Sequence, residues 1–223
     1  WAGSAQLDAV TTFVEDFQHV ESTGVSVWVP AAQSAPGEVP ASAHFDYHYG
    51  MDREAVELKP STITTPSSVL RVRGLVAKRD SSLEAYFDTS DLLPWNDLIN
   101  TLRGAGPQGA AEPKRIAGRA HWKGRMTGPL DGPTFTGHGT AYRASYGNLY
   151  LEEVGGDVVY SPDEFRLQRG RAVMGARAAA QPQGRSSAAV ELSLELDNWS
   201  LEPGNKWSLD ANLIRASTDD LQE

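Results

Sequence analysis

Cysteine is absent from the 223 residues of this chain. Its absence excludes disulfide bridges, thiolate metal sites and a cysteine nucleophile. A chain without thiols suits an oxidising compartment, but many cytosolic proteins also lack cysteine, so this absence says little about location.

Long apolar runs are also missing. No stretch approaches the roughly 18–20 apolar residues that a membrane-spanning helix needs. No basic segment precedes an apolar one, so no signal peptide is visible. The chain begins at Trp1 rather than at methionine, and we expect it to be a piece of a longer protein whose targeting segment lies elsewhere.

Basic residues are fewer than acidic residues. Lysine and arginine number 20 against 29 acidic residues, which gives a formal net charge of -9. Phosphates would be repelled over most of such a surface, so we expect no nucleic-acid partner. Hydrophobic residues make up 40% and charged residues 22%, which is ordinary for a folded soluble protein.

Strict alternation of apolar and polar residues is what the sequence does contain. In Ile116–Thr127, every second residue is apolar or small, and the others are basic or polar from Arg119 onward. Successive side chains of a strand point to opposite faces, so this pattern predicts a long half-buried strand. The turn residues Gly128–Pro133 end it. Further strands are predicted at Phe135–Ala144, Leu149–Tyr160, Glu164–Met174, Gly175–Ala180, Ala188–Leu196 and Trp207–Leu213.

The first half of the chain shows the same alternation. It predicts strands at Ser42–Tyr49, Ser68–Val76 and Leu83–Asp88. Gly74, inside the second of these, indicates a bulge or a close approach of two backbones.

Near the start of the chain, one segment is ambiguous, and two residues predict a turn or the end of a strand. Gln6–Val20 has helical spacing, but its β-branched residues favour a strand. Gly24 predicts a turn before a short strand, Val25–Val29. Pro60 is expected to end a strand at Glu54–Lys59.

One segment changes period. Apolar residues recur at three and four positions in Asp91–Leu102, which predicts a short amphipathic helix near 91–103, with Ser90 or Asp91 as its cap and Gly104 at its end. The predicted organisation is an N-terminal β segment at 1–104, a linker at 105–115 and a C-terminal β segment at 116–223 that continues the first sheet. The fold class is all-β, an elongated antiparallel meander.

Signatures of catalysis are weak. His44, Asp46 and His48 fit a solvated strand face better than a metal site, because the two histidines lie about 13 Å apart along a strand. Glu152 and Glu153 point to opposite faces. No nucleophile, phosphate-loop or dinucleotide motif is present, so we expect no enzyme activity, no metal and no cofactor.

The glycine and alternation pattern resembles a known family, the TamB-like proteins of the AsmA-like group, which bridge the two membranes of diderm bacteria. The resemblance lies in Gly118–Leu130, in Tyr146–Leu149 with Leu151–Ser161, and in Leu83–Leu102. It implies a sheet curved into a U-shaped groove (a β-taco) that carries phospholipid acyl chains between inner and outer membrane and supports outer-membrane assembly. It also implies a periplasmic location, an inner-membrane anchor on the full-length protein and an outer-membrane barrel partner.

An apolar sheet face of this length must be covered either by a second sheet or by an apolar ligand. Alternation alone favours a closed β-sandwich, a structural module or a carbohydrate-binding one that uses some of the six tryptophans. The resemblance favours the open groove instead. Its expected lining residues are Leu70, Val72, Val76, Leu83, Phe87, Ile116, Trp122, Met126, Val190, Leu192, Leu194 and Leu196.

Overall fold

The fold is an antiparallel meander of twelve strands in a single sheet, in which the order of the strands follows the sequence. The computed structural model describes residues 3–14, 19–32, 40–51, 54–96, 115–146, 149–174, 189–197 and 206–215. The predicted all-β meander is therefore confirmed. Because the described strands lie in one sheet, they do not divide into the two sheets of a β-sandwich.

The bounds of the strands agree with the predicted ones over most of the chain. The strands are β1 Gly3–Val14, β2 His19–Pro30, β3 Ser42–Gly50, β4 Ala55–Thr64, β5 Ser68–Ala77, β6 Ser81–Thr89, β7 Ile116–Gly128, β8 Thr134–Tyr146, β9 Leu149–Ser161, β10 Glu164–Met174, β11 Ala189–Asp197 and β12 Trp207–Arg215. The predicted strand at 175–180 lies outside the described residues.

The N-terminal hairpin differs from the prediction at two points. The segment Gln6–Val20 is not one strand, because β1 ends at Val14 and β2 begins at His19. The predicted turn at Gly24 is wrong, since β2 runs through it. A Cβ on Gly24 would lie only 2.7 Å from the Cβ of Ala9 on β1, so this glycine serves a close approach of two strands.

Pro60 was predicted to end a strand. This prediction is wrong, because Pro60 lies within β4. The register of β4 shifts against β3 between His44 and Tyr47, and against β5 between Leu58 and Ser61. In both cases β4 carries one residue more than its neighbour, which defines a bulge. Proline has no N–H to donate to the ladder, and a bulge is one of the few places in a sheet where it is tolerated.

Ser61 completes the bulge. Its side chain is almost fully buried, its hydroxyl donates to the carbonyl oxygen of Lys59 (2.8 Å), and it accepts a hydrogen bond from the N–H of Asp46 (3.2 Å). These bonds replace ladder bonds that the extra residue displaces. The strand predicted at Glu54–Lys59 therefore continues through Pro60 to Thr64.

The predicted helix near 91–103 is described only at its start. A 3₁₀ helix occupies Leu93–Trp95, and the carboxylate of Asp91 accepts a hydrogen bond from the N–H of Leu93 (2.9 Å). Residues 97–114 lie outside the described residues, so the rest of the helix and the linker at 105–115 stay predictions.

The chain forms two compact units. The first comprises Trp1–Asp88 with Trp122–Thr136, and the second comprises Thr89–His121 with Gly137–Glu223. Strand β7 contributes residues to both units. The predicted division into segments 1–104 and 116–223 stays a prediction.

We predict that Gly74→Ala destabilises the protein by about 2 kcal/mol or more, because backbone strain and a steric clash add there. Gly74 has a φ of +125°, and a Cβ would lie 2.2 Å from the carbonyl oxygen of Ser82. The matched control is Gly50→Ala, whose Cβ would meet no atom within 4 Å. Urea denaturation measures both free energies of unfolding. Equal values for the two variants would contradict the close approach of β5 and β6.

Candidate functional site

In the second unit, the apolar residues of β9–β12 pair with one another across the strands. Phe165 pairs with Tyr160 on β9 and with Leu196 on β11, and Leu196 pairs with Trp207 on β12. Directly paired residues of antiparallel strands point to the same face of the sheet. These four side chains therefore form one apolar row that crosses four strands.

Parallel rows extend this surface. They consist of Val158, Leu167, Leu194 and Leu209; of Gly170, Leu192 and Ala211; and of Val154, Ala172, Val190 and Leu213. The backbone of Gly170 lies so close to Leu192 that a Cβ there would be 2.7 Å from the carbonyl oxygen of Leu192. The four rows together are called the second apolar face.

A bulge in β10 keeps this face continuous. Leu167 and Gly170 are three residues apart and would lie on opposite faces of a regular strand. Here β10 carries one residue more than β9 and β11, and Arg169 takes a φ of 50°. The extra residue restores the alternation, so that apolar residues before and after it share one face.

The bulge at Pro60 does the same in the first unit. Leu58 and Ile63 are five residues apart, yet Leu58 pairs with Tyr47 and Ile63 with Ala43, and these two residues of β3 share a face. The resulting rows are Trp28, Ala43, Ile63 and Leu70; Tyr47, Leu58 and Gly74; and Tyr49, Val56 and Val76. They form the first apolar face.

The predicted lining residues are all half-buried. Those assigned to the first unit are Leu70, Val72, Val76, Leu83, Phe87, Trp122 and Met126, and those in the second unit are Ile116, Val190, Leu192, Leu194 and Leu196. The four residues of β11 belong to the second apolar face, and Leu70 and Val76 belong to the first. The ring of Trp122 packs edge to face on Phe135, with centroids 6.5 Å apart.

Ile116 has a structural partner that the sequence did not suggest. The side chain of Asn96, which is buried, accepts a hydrogen bond from the N–H of Ile116 (2.7 Å) and donates to its carbonyl oxygen (2.8 Å). This contact ties the residues after β6 to the start of β7.

Several members of the second apolar face were missed by the sequence analysis. They are Val158, Tyr160, Phe165, Leu167, Trp207 and Leu209. The alternation in β9 and β12 could have identified four of these six. In β10, Phe165 and Leu167 alternate as well, but the extra residue at Arg169 breaks the period of two between them and Ala172 on the same face.

Both faces lack the large buried side chains of an ordinary core. The buried apolar residues of the described strands are the alanines Ala43, Ala55, Ala172 and Ala189. Trp207 is 55% exposed and Leu209 56%. Cores of folded domains normally bury leucine, isoleucine, valine and phenylalanine. Within the described residues, the large apolar side chains of both faces therefore stay partly exposed.

The opposite side of the first unit carries ion pairs. Arg73 donates from Nε (2.8 Å) and Nη2 (2.5 Å) to one carboxylate oxygen of Glu84, and Nη2 of Arg125 lies 3.7 Å from the other. The hydrogen bond and charge of Arg73, with smaller contributions from Arg125 and Lys123, lower the pKa of Glu84.

A second carboxylate cluster lies at the β10 bulge. Asp157 lies 2.9 Å from Nδ1 of His138 and accepts a hydrogen bond from Nε of Arg169 (2.5 Å). The hydrogen bond from His138, followed by that from Arg169, lowers the pKa of Asp157. The bulge thus places the Arg169 guanidinium beside the carboxylate of the neighbouring strand.

His48 and Asp46 of β3 take separate polar partners. His48 lies 2.9 Å from the hydroxyl of Thr23, and Asp46 pairs with Lys59 at 3.5 Å. In the part of the chain that the structure describes, no group of three histidines or carboxylates is placed to hold a metal ion. The expectation of no enzyme activity and no cofactor stays a prediction.

We predict that Asp157 titrates below the ordinary aspartate pKa of about 3.9 and that His138→Ala raises its pKa. Because the folded-state pKa lies below the unfolded-state pKa, the cluster stabilises the fold above the unfolded value, and this stabilisation is lost as the pH falls through the folded value. NMR titration of the carboxyl carbon measures the shift. His121→Ala, which removes a histidine of β7, should leave it unchanged. An Asp157 pKa at or above the ordinary value in the unmodified protein would contradict the arrangement.

Comparisons with protein-family models, curated proteins and solved structures find no match to this chain. The resemblance to the TamB-like family has no support from them and stays a hypothesis. Among the described residues, no helix combines the length and the apolar character that crossing a membrane requires.

Proposed function

We propose that the two apolar faces hold phospholipid acyl chains, and that the protein is a segment of a bridge that moves phospholipid between the inner and outer membranes. The observation that supports this most is the half-exposure of the predicted lining residues. Six of them, the four residues of β11 with Leu70 and Val76, share faces with other apolar residues through cross-strand pairs, yet no large apolar side chain among the described residues is buried. Hydrocarbon chains are ligands that such surfaces suit.

The energy available is sufficient for binding. Removing a methylene group from water is worth about 0.8 kcal/mol. An acyl chain that buries about eight methylene groups would gain about 6 kcal/mol of binding free energy, before the entropic cost of ordering the acyl chain. This value corresponds to moderate and reversible binding. A protein that transfers phospholipid must release the lipid as well as bind it, so a moderate affinity suits this role.

The cellular setting is part of the same proposal. We infer from the resemblance a periplasmic location, a full-length protein anchored in the inner membrane, an outer-membrane barrel partner and a contribution to outer-membrane assembly. Holding an acyl chain requires no nucleophile, metal or cofactor. The acidic balance of the chain, with a net charge of -9, agrees with the expectation of no nucleic-acid partner.

We predict that Leu192→Asp and Met126→Asp each weaken binding of a fluorescent phospholipid by about tenfold or more, because each places a carboxylate against hydrocarbon. Leu192 lies in the second apolar face, and Met126 lies among the half-buried residues of β7. Titration in detergent-free buffer measures the affinity, and mass spectrometry of the purified protein detects lipid retained from the cell.

Two controls carry the same added charge on the other side of each strand. They are Ser193→Asp beside Leu192 and Thr127→Asp beside Met126, and both should bind the phospholipid as the unmodified protein does. The proposal is wrong if all four variants bind alike, or if the unmodified protein retains no lipid and binds a glycan tightly instead.

A further inference from the structure

The polar side of the first unit carries a cluster of cations on two strands. Arg71 and Arg73 project from β5, and Lys123 and Arg125 project from β7. All four line one open cleft of about 840 Å³, together with Glu84 of β6. These four residues are called the basic cluster. They alternate with the half-buried residues of the same strands, so they lie on the side opposite the apolar residues.

The basic cluster carries more positive charge than the neighbouring carboxylate neutralises. Glu84 is the single carboxylate that lines the cleft, so four cations face one anion and three positive charges remain in excess. The nearest acid on β6, Asp88, accepts a long hydrogen bond from the hydroxyl of Tyr86 (3.4 Å) and does not line the cleft. In a protein with a net charge of -9, such an excess is a local reversal of sign.

Glu84 orders part of the cluster. Arg73 donates to one of its oxygens and Arg125 approaches the other, so one carboxylate holds guanidinium groups from β5 and β7. Both arginine side chains remain more than half exposed, at 65% and 57%. Each guanidinium has five N–H donors, so several remain available to a second anion.

The other two cations have no carboxylate partner within ion-pair distance among the described residues. The guanidinium carbon of Arg71 lies 5.5 Å from the ring centre of Tyr86, which is a cation–π contact. Lys123 is exposed and lies close enough to Glu84 to act on its carboxylate electrostatically. Thr62 and Thr136 also line the cleft.

We propose that the basic cluster binds a phosphate group, with Arg71 and Lys123 as its main charged contacts and Arg73 and Arg125, aligned by Glu84, as further donors. A phosphate carries several acceptor oxygens and up to two charges, which matches planar guanidinium donors on one side and a point charge on the other. The phosphate belongs to a soluble phosphorylated compound or to a lipid headgroup at a membrane surface. The site does not depend on the proposed function, because it lies on the opposite side of the strands.

Titration with inorganic pyrophosphate, followed by calorimetry at low salt, tests the site directly. The double variant Arg71→Gln/Lys123→Gln should bind pyrophosphate about tenfold or more weakly, because two charge-assisted contacts are lost. The double variant Lys78→Gln/Arg79→Gln removes the same charge from the exposed turn after β5, outside the cleft, and should bind like the unmodified protein. Circular dichroism of all variants checks that the fold is kept.

A gain of binding gives a second test that loss of folding cannot mimic. Glu84→Gln removes the competing negative charge but keeps an oxygen that can accept a hydrogen bond from Arg73, so it should tighten pyrophosphate binding by about threefold, the order expected when one exposed charge is removed. Glu57→Gln, an exposed residue of β4 that does not line the cleft, changes the net charge equally and should have no effect.

Vesicles distinguish the two sources of phosphate. Cosedimentation with phosphatidylcholine vesicles that contain phosphatidylglycerol, compared with phosphatidylcholine alone, shows whether a lipid headgroup is accepted. The site is supported if either pyrophosphate or the anionic vesicles bind and the double variant Arg71→Gln/Lys123→Gln weakens that binding. The probe that binds more tightly shows whether the phosphate belongs to a soluble compound or to a lipid headgroup. The proposal is overturned if neither probe binds, or if the variants at the cleft and at the turn weaken binding equally.

Discussion

The period of two along each strand is the constraint on which this structure depends. Side chains of a strand alternate between faces, so a shift by one residue would move every later apolar side chain to the other side of the sheet. The chain meets this constraint in spite of the bulges in β4 and β10. The extra residues near Pro60 in β4 and at Arg169 in β10 each restore the alternation, so that the apolar residues on both sides of a bulge share one face.

Faces built this way are stabilised mainly by contacts between neighbouring strands. Each favourable cross-strand pair contributes roughly 0.2–1 kcal/mol, and no large apolar side chain among the described residues is buried deeply enough to add the contribution of a packed core. A ligand that covers such a face would stabilise the folded chain by mass action. The proposed role in holding lipid and the stability of the strands therefore rest on the same side chains.

Much of the fold could be predicted from the sequence, because alternation is a local signal. Ile116–Thr127 and Glu164–Met174 were predicted as strands and form β7 and β10 almost residue for residue. The predictions at Gly24 and Pro60 were wrong because glycine and proline do not occur only in turns. Glycine also lies where two strands come close together, and proline also lies in bulges, and only the neighbouring strand shows which case applies. The basic cluster depends on which residues of β5–β7 come together, which no local pattern specifies.

The candidate site was predictable in part for the same reason. Residues of β11, such as Leu192 and Leu194, follow a clean alternation and do belong to the second apolar face. Their partners in β10, Leu167 and Gly170, are brought to that face only by the bulge, and a bulge is a property of paired strands.

Site-specific photocrosslinking along β11 tests most directly whether this face holds lipid. A photoreactive amino acid is placed at each position from 190 to 196 in turn, and crosslinks to radiolabelled phospholipid are counted in cells. The account predicts crosslinks at Val190, Leu192, Leu194 and Leu196 and none at Glu191, Ser193 and Glu195. Equal crosslinking at all positions, or none at any of them, would contradict it.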